Sequence, residues 1–115
     1  MHIRKNILVL GALLTVVVGA IARLHPAKIS SAKVTSVSPS NPPIANIALL
    51  YNTGARPVSV IVDIFLEHGC GSATIGGDQL FVDIPLVRSP SIHRHLVTTA
   101  TYNMLGKWYT VVQEF

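Results

Sequence analysis

The pattern of hydrophobic and polar positions divides the chain into two parts. Residues 7–22 (ILVLGALLTVVVGAIA) contain no charged side chain. From residue 29 onward, apolar and polar residues alternate in short stretches separated by Pro, Gly, Asn and Ser. A long apolar run is typical of a helix in lipid, whereas period-two alternation is typical of β-strands. The sequence therefore predicts an apolar helix within residues 1–25 and an all-β domain in residues 26–115.

The apolar run has the features of a single transmembrane anchor. Its sixteen residues would extend about 24 Å as a helix, slightly less than a hydrocarbon core of about 30 Å. Arg4, Lys5 and Arg23 flank the run and can extend their charges to the two interfaces. Basic residues before the run predict a cytoplasmic N-terminus and an extracytoplasmic β domain. The apolar side chains assigned to the anchor are Ile7, Leu10, Leu14, Val17 and Ile21.

The same segment also fits a cleaved signal peptide. It has a basic start, an apolar middle and the small-X-small sequence Ala20-Ile21-Ala22, which is a typical cleavage site. The residues alone leave both alternatives open. We take the anchor as the leading interpretation, which makes the chain a single-pass membrane protein.

The rest of the chain predicts strands. Residues 57–67 alternate most clearly, with Val58, Val60, Val62, Ile64 and Leu66 on one face. Residues 44–52 are its predicted neighbour, because the Asn and Gly between the two segments favour a tight reversal. The further predicted strands are residues 31–37, 80–84, 93–102 and 107–115. Short strands at this spacing predict an antiparallel sandwich.

Two runs, PSNPPIANIALLYNTGARPVSVIVDIFLE and GKWYTVVQEF, resemble the immunoglobulin-like domains of surface and adhesion proteins. The residues that carry this resemblance are Asn52, Thr53, Gly54, Pro57, Val58, Gly106, Tyr109 and Thr110. The resemblance implies an immunoglobulin-like antiparallel sandwich and no particular activity. The Cys–Trp–Cys core of antibody domains is absent, since Cys70 is the single cysteine. A helix followed by such a domain also resembles archaeal pilins and the accessory proteins of the archaeal motility filament.

The distribution of charge argues against nucleic acid as a partner. The formal net charge is +4, but Arg4, Lys5, Arg23 and Lys28 all lie in or beside the predicted anchor. From residue 29 onward, basic and acidic residues balance. Phosphate binding requires a basic stripe, and the β domain has none. The charged fraction of 12% instead indicates a chain that lies partly in lipid or is covered by protein partners.

The candidate chemistry is limited to a few histidines and one thiol. His93 and His95 share one face of a predicted strand and could chelate a metal ion, with Cys70 and Met104 as further ligands of the blue-copper type. Such ligands usually lie in one short loop, whereas Cys70 is far from His93 in sequence. No Gly-X-Ser-X-Gly elbow or phosphate-binding loop occurs. We therefore predict no enzyme and no cofactor, and keep a metal-binding or redox domain as an alternative.

Apolar residues on the polar side of the strands predict a protein interface. Ile61 and Phe65 lie on the outward face of the clearest strand. Phe81 and Trp108 likewise occupy outward positions in their own predicted strands. A contiguous apolar patch indicates an interaction site, and aromatic residues are enriched in interface cores. The sequence thus predicts a structural or accessory subunit that docks onto a membrane or envelope assembly. A pilin-like filament subunit, built from copies of this chain, is the alternative.

Overall fold

The computed structural model describes residues 25–67, 69–87 and 94–115. The strands of these residues are β1 (Ile29–Ser38), β2 (Ile44–Tyr51), β3 (Ser59–Leu66), β4 (Gly69–Gly76), β5 (Phe81–Pro85), β6 (His95–Met104) and β7 (Lys107–Glu114). The predicted anchor, with Ile7, Leu10, Leu14, Val17 and Ile21, lies outside the described residues. Within the three described ranges, no helix is long and apolar enough to cross a membrane.

The strands form two antiparallel sheets that share one hydrophobic core. One sheet has the order β1-β2-β5 and the other β4-β3-β6-β7. In β2, β3, β5 and β6 buried residues alternate with more exposed ones, because the side-chain period of a strand is two. Among them, Ile47 and Ile84 of the first sheet and Val62 and Ile64 of the second are fully buried in the same cluster. The prediction of an all-β sandwich is confirmed.

The predicted pairing of residues 44–52 with 57–67 is wrong. β2 pairs with β1 and β5, whereas β3 pairs with β4 and β6. The connection between β2 and β3 is seven residues long, so it is not held to the geometry of a two-residue hairpin and can cross to the other sheet. Val58 belongs to this connection and is exposed, although the alternation predicted it to point inward.

β4 was missed because its sequence, GCGSATIG, is rich in glycine. Glycine is depleted in strands, and the sequence therefore predicts a loop there. Its glycines are needed for close packing instead. A Cβ on Gly69 would lie 2.5 Å from the carbonyl oxygen of Val87, and one on Gly71 would lie 2.5 Å from Cγ2 of Ile84. The absence of side chains lets β4 lie against β5 and the residues after it.

At one end of the sandwich lie the first residues of β1, β3, β5 and β7. The last residues of β2, β4 and β6 lie at the same end. We call it the entry end because the chain enters the domain there, and the opposite end the far end. His25 and Ala27 bind the backbone of Ala55 at 2.7 Å and 2.9 Å, and the Tyr102 hydroxyl donates to the carbonyl oxygen of Ala27 at 2.8 Å. The chain from His25 onward is therefore fixed on the sandwich.

Candidate interaction surfaces

The outward face of the four-stranded sheet carries a continuous apolar patch. Thr99 of β6 lies between Ile61 of β3 and Val112 of β7, and Val97 lies one row further along β6. Phe65 of β3 follows in the next row. Neighbours on one face of a sheet, whether opposite or diagonal, are close enough to form one surface. We call Ile61, Phe65, Val97 and Val112 the outer patch.

Phe65 is held in place by a neighbouring ring. The Phe65 and His95 rings stack with centroids 4.5 Å apart and an angle of 24° between their planes. Such offset aromatic pairs are favourable beyond the area they bury. The stacking leaves Phe65 half-buried while Ile61, with 39% of its surface exposed, remains open to a partner. A side chain already ordered loses less entropy when it binds.

The residues around the outer patch are uncharged or acidic. Its immediate neighbours include Thr74, Thr99 and Thr110. Asp63 and Glu114 flank Val97 from the two adjacent strands. None of the strand positions described on this face is Lys or Arg. The face therefore offers apolar contacts together with two carboxylates, which favours a partner surface with basic groups.

Phe81 and Trp108, the other two residues predicted at the interface, do not belong to the outer patch. Phe81 is 61% exposed on the other sheet, where it pairs with Ala48. On the outer face of that sheet, Leu50 is 60% exposed and the Asn46 side chain donates to Asp83 at 2.7 Å. Trp108 lies on the same face as the patch but at the entry end, with Thr110 between it and Val112. Strand alternation predicts the outward direction of a side chain, not the sheet to which its strand belongs.

β7 leaves one strand edge open. Phe115 and Leu96 exchange both backbone hydrogen bonds, at 2.8 Å and 3.3 Å, so odd-numbered residues of β7 direct their backbone groups to β6. The pairing of β6 with β7 runs without a register shift, and β7 contains no proline. The residues whose N–H and C=O point away from β6 are Trp108, Thr110, Val112 and Glu114. Val112 thus belongs both to the open edge and to the outer patch.

The other described edges are protected. β1 has two register shifts against β2, and bulges of this kind hinder the addition of a strand. β5 has five residues and ends at Pro85. β4 is paired on its outer side, where Cys70 and Val87 exchange backbone hydrogen bonds of 2.9 Å and 2.8 Å. Among the described strands, β7 therefore offers the edge best suited to an added strand.

The candidate metal ligands are separated by an aromatic side chain. Cys70 and His95 lie on opposite sides of Phe65 in one row of the sheet, two strand spacings or about 9–10 Å apart at Cα. His93 lies outside the described residues. No cluster of three His, Cys, Asp or Glu side chains occurs within the part of the chain that the structure describes. On this face, the Phe65 side chain lies between Cys70 and His95.

Burial raises the pKa values of two tyrosines at the entry end, Tyr51 and Tyr102. Burial raises the pKa of Tyr51, the guanidinium of Arg56 partly opposes this, and the carboxylate of Asp78 adds to it. The Arg56 guanidinium carbon lies 5.0 Å from the centroid of the Tyr51 ring. Burial also raises the pKa of Tyr102, with a smaller contribution from Tyr51. Both phenols are held neutral at physiological pH, as structural groups rather than acids or bases.

A groove of about 440 Å³ opens between β1 and the ends of β6 and β7. Its apolar lining includes Val34, Leu96 and Phe115, and its charged lining residues are Lys33 and Arg94. Because it is open and lined mainly by apolar side chains, it suits a side chain of a partner better than a small polar substrate. The alternation pattern does not predict this groove, because its residues come from separate segments of the chain.

The chain matches no protein-family model, no curated protein and no solved structure.

Proposed function

We propose that this chain is a non-enzymatic, membrane-anchored accessory subunit. Residues 1–25 hold it in the membrane with the N-terminus in the cytoplasm. The sandwich of residues 26–115, on the outer side, docks onto a larger membrane or envelope assembly. The observation that carries the proposal is that the outer patch lies beside the open edge of β7. Val112 belongs to both and joins them into one surface.

The strand order supports an immunoglobulin-like sandwich. β1 and β2 belong to one sheet and β3 belongs to the other. β5 lies in the first sheet, where it pairs with β2. In immunoglobulin domains the second and fifth strands likewise share a sheet opposite the third, sixth and seventh. β4 pairs with β3, as the additional strands of variable-type domains do, rather than with β5.

Docking would combine strand addition with burial of the outer patch. A partner strand that pairs with β7 satisfies the free backbone groups, and adjacent partner side chains cover Ile61 and Val112. Val112 is 64% exposed, so a partner can remove considerable apolar surface from water. Asp63 and Glu114 then favour basic groups at the rim of the contact.

Substitution of Thr110 by proline tests strand addition. The Thr110 N–H points away from β6, so proline removes a free donor and leaves the β6–β7 pairing intact. We expect Thr110→Pro to lose its co-purifying chains when extracted from native membranes in mild detergent and identified by mass spectrometry. Thr110→Ala is the matched control, because it removes the side chain and keeps the N–H. Retention of the same chains by Thr110→Pro would contradict strand addition.

A second pair of variants tests the outer patch. Ile61→Thr combined with Val112→Thr removes apolar surface while keeping β-branched residues in both strands. Leu50→Thr combined with Phe81→Thr makes a comparable change on the other sheet, where Leu50 and Phe81 are exposed. We expect the first variant to lose the complex and the second to keep it. Equal behaviour of the two variants would count against docking through the outer patch.

The composition of the native particle separates the alternatives. Several different chains in a large particle support the accessory subunit, and a polymer of this chain alone supports the filament subunit. A monomer without other chains would overturn both. The metal-binding or redox alternative, using His93, His95 and Cys70, requires bound copper or zinc in the native protein. Metal analysis without either ion would exclude it.

A further inference from the structure

Large apolar side chains project from the entry end of the sandwich. Leu105, in the turn between β6 and β7, is 82% exposed, and Trp108 and Tyr109 are 64% and 48% exposed. All three belong to one hairpin. At the far end, the loop of residues 39–43 between β1 and β2 consists of Ser, Pro and Asn. The β6–β7 turn is therefore an apolar projection at the end where the chain enters the domain.

Leucine is an unfavourable residue for this turn. Leu105 and Gly106 have φ values of 54° and 77°, which makes the turn type I′, and such turns prefer Asn or Asp before Gly. A side chain with a Cβ is strained at positive φ, and leucine cannot compensate with the local hydrogen bonds that Asn makes. Leu105 thus disfavours the turn and also exposes apolar surface. Strain of this kind indicates a role for the side chain in function.

Exposed basic side chains lie at the same end of the sandwich as the apolar projection. Lys28, Arg56 and Lys107 are exposed at the entry end, where Asp78 is their acidic counterpart. Tryptophan and tyrosine are enriched where a membrane meets water, and lysine and arginine are attracted to anionic lipid headgroups. The combination is complementary to a lipid surface in both polarity and charge.

Few residues separate the predicted anchor from this surface along the chain. Its uncharged run ends at Ala22, and His25 already accepts a hydrogen bond of 2.7 Å from the Ala55 N–H. Three residues span at most about 10 Å, so an anchor helix that ends at the membrane surface holds the entry end there. We propose that the entry end, through Leu105, Lys107 and Trp108, binds the lipid headgroup layer of the membrane that holds the anchor. This inference rests on the membrane anchor of the proposed function.

The dimensions of the hairpin match those of the headgroup layer. That layer is about 5–8 Å thick on each side of the hydrocarbon core. Because a strand rises about 3.3 Å per residue and β7 begins at Lys107, Trp108 lies about 3–7 Å from the turn along the strand direction. When Leu105 reaches the boundary of the acyl chains, Lys107 and Trp108 lie among the headgroups, where both residue types are favoured. The contact therefore sets the sandwich upright on the membrane.

The fluorescence of Trp108 provides the test, because it is the single tryptophan of the chain. The full chain is reconstituted in vesicles of phosphatidylcholine and phosphatidylglycerol, with and without bromine on the upper part of the acyl chains. We expect brominated lipid to quench Trp108. The control carries Trp108→Phe with Phe115→Trp, which moves the tryptophan to the far end. In that variant we expect no quenching by lipid and several-fold stronger quenching by aqueous iodide.

Leu105→Asn separates lipid contact from folding. Asparagine before Gly106 is the preferred type I′ sequence, so the variant is expected to unfold at the same or a higher temperature than the parent. Quenching of Trp108 by brominated lipid should nevertheless decrease. Unchanged quenching in Leu105→Asn would overturn the role of Leu105.

Alkaline carbonate extraction distinguishes failure of this inference from failure of the proposed function. If carbonate leaves the protein in the vesicles but Trp108 is open to iodide and unquenched by brominated lipid, the lipid contact is wrong and the anchor stands. If carbonate releases the protein, the anchor itself is wrong, and the proposed function fails with it.

Discussion

Gln113 of β7 joins the two sheets at the side where β1 and β7 are the edge strands. Its side-chain amide accepts a hydrogen bond from the Ile29 N–H at 3.1 Å and donates one to the Ile29 carbonyl oxygen at 3.0 Å. The amide thus reproduces the pair of hydrogen bonds that one residue of a neighbouring strand would make. Since Ile29 is 1% exposed, its backbone groups have little access to water as a replacement partner.

We expect Gln113→Ala to lower the free energy of unfolding by about 2–3 kcal/mol. Each of the two hydrogen bonds contributes about 1 kcal/mol net, and a buried N–H left without a partner costs about 1–3 kcal/mol. For a domain of this size, the change corresponds to a fall of roughly 10–20 °C in the unfolding temperature. Thermal unfolding of the full chain in mild detergent, followed by circular dichroism, measures it.

Gln113→Glu tests the same hydrogen bonds through pH. At neutral pH the introduced carboxylate can accept from the Ile29 N–H but repels its carbonyl oxygen, whereas the protonated carboxyl can donate to it. The folded state therefore raises the pKa of the introduced group, so stability is recovered at low pH and lost as pH rises through that raised value. Glu114→Gln, the reverse exchange at the exposed neighbouring residue, is the control. If Gln113→Ala lowers the unfolding temperature no further than Glu114→Gln does, the reasoning is refuted.

Three further predictions concern the core and the entry end. Thr98 is fully buried, and its hydroxyl has no partner among the described residues, so Thr98→Val should raise the free energy of unfolding by about 1 kcal/mol in denaturant titrations; a loss of stability would contradict this. A Cβ on Gly54, where φ is 145°, would lie 2.4 Å from the His25 carbonyl oxygen. Gly54→Ala should therefore cost more than about 1 kcal/mol and speed tryptic cleavage after Lys28; unchanged cleavage would be evidence against it. Burial raises the pKa values of Tyr51 and Tyr102, so their contribution to stability should be complete below about pH 10 and lost as pH rises through the raised values. An unfolding temperature that does not change with alkaline pH would contradict this prediction.

The sequence predicted the strands better than their arrangement. Alternation in residues 44–52 and 57–67 identified the inward residues of β2 and β3, because burial on one face imposes that pattern directly. Sheet membership left no such trace, since the turn residues between the two strands are equally compatible with a hairpin and with a crossing. The sequence of β4 carried an even weaker signal. Its Gly69 and Gly71 permit the close approach of neighbouring atoms, whereas glycine has a low strand propensity.

The candidate site was predictable only in part for the same reason. Ile61 and Phe65 stood out as apolar residues on the wrong side of a clear strand, and they do lie on an outer face. Val97 gave no signal, because a β-branched residue directly after Leu96 is ordinary in a strand. The open edge of β7 could not be inferred from the sequence at all. It depends on which strand is last in the sheet and on the phase of the hydrogen bonds between β6 and β7.

The proposed anchor and the proposed docking edge together restrict the partner. β7 begins at the entry end and runs toward the far end, so in an upright anchored sandwich it runs away from the membrane. A strand that adds to it in the antiparallel sense must therefore run toward the membrane. Two copies that paired β7 with β7 in this way would be related by a two-fold axis perpendicular to the sheet, which points their entry ends in opposite directions. Such a pair cannot have both anchors in one bilayer, so the geometry favours a different chain as the partner over a second copy in the same membrane.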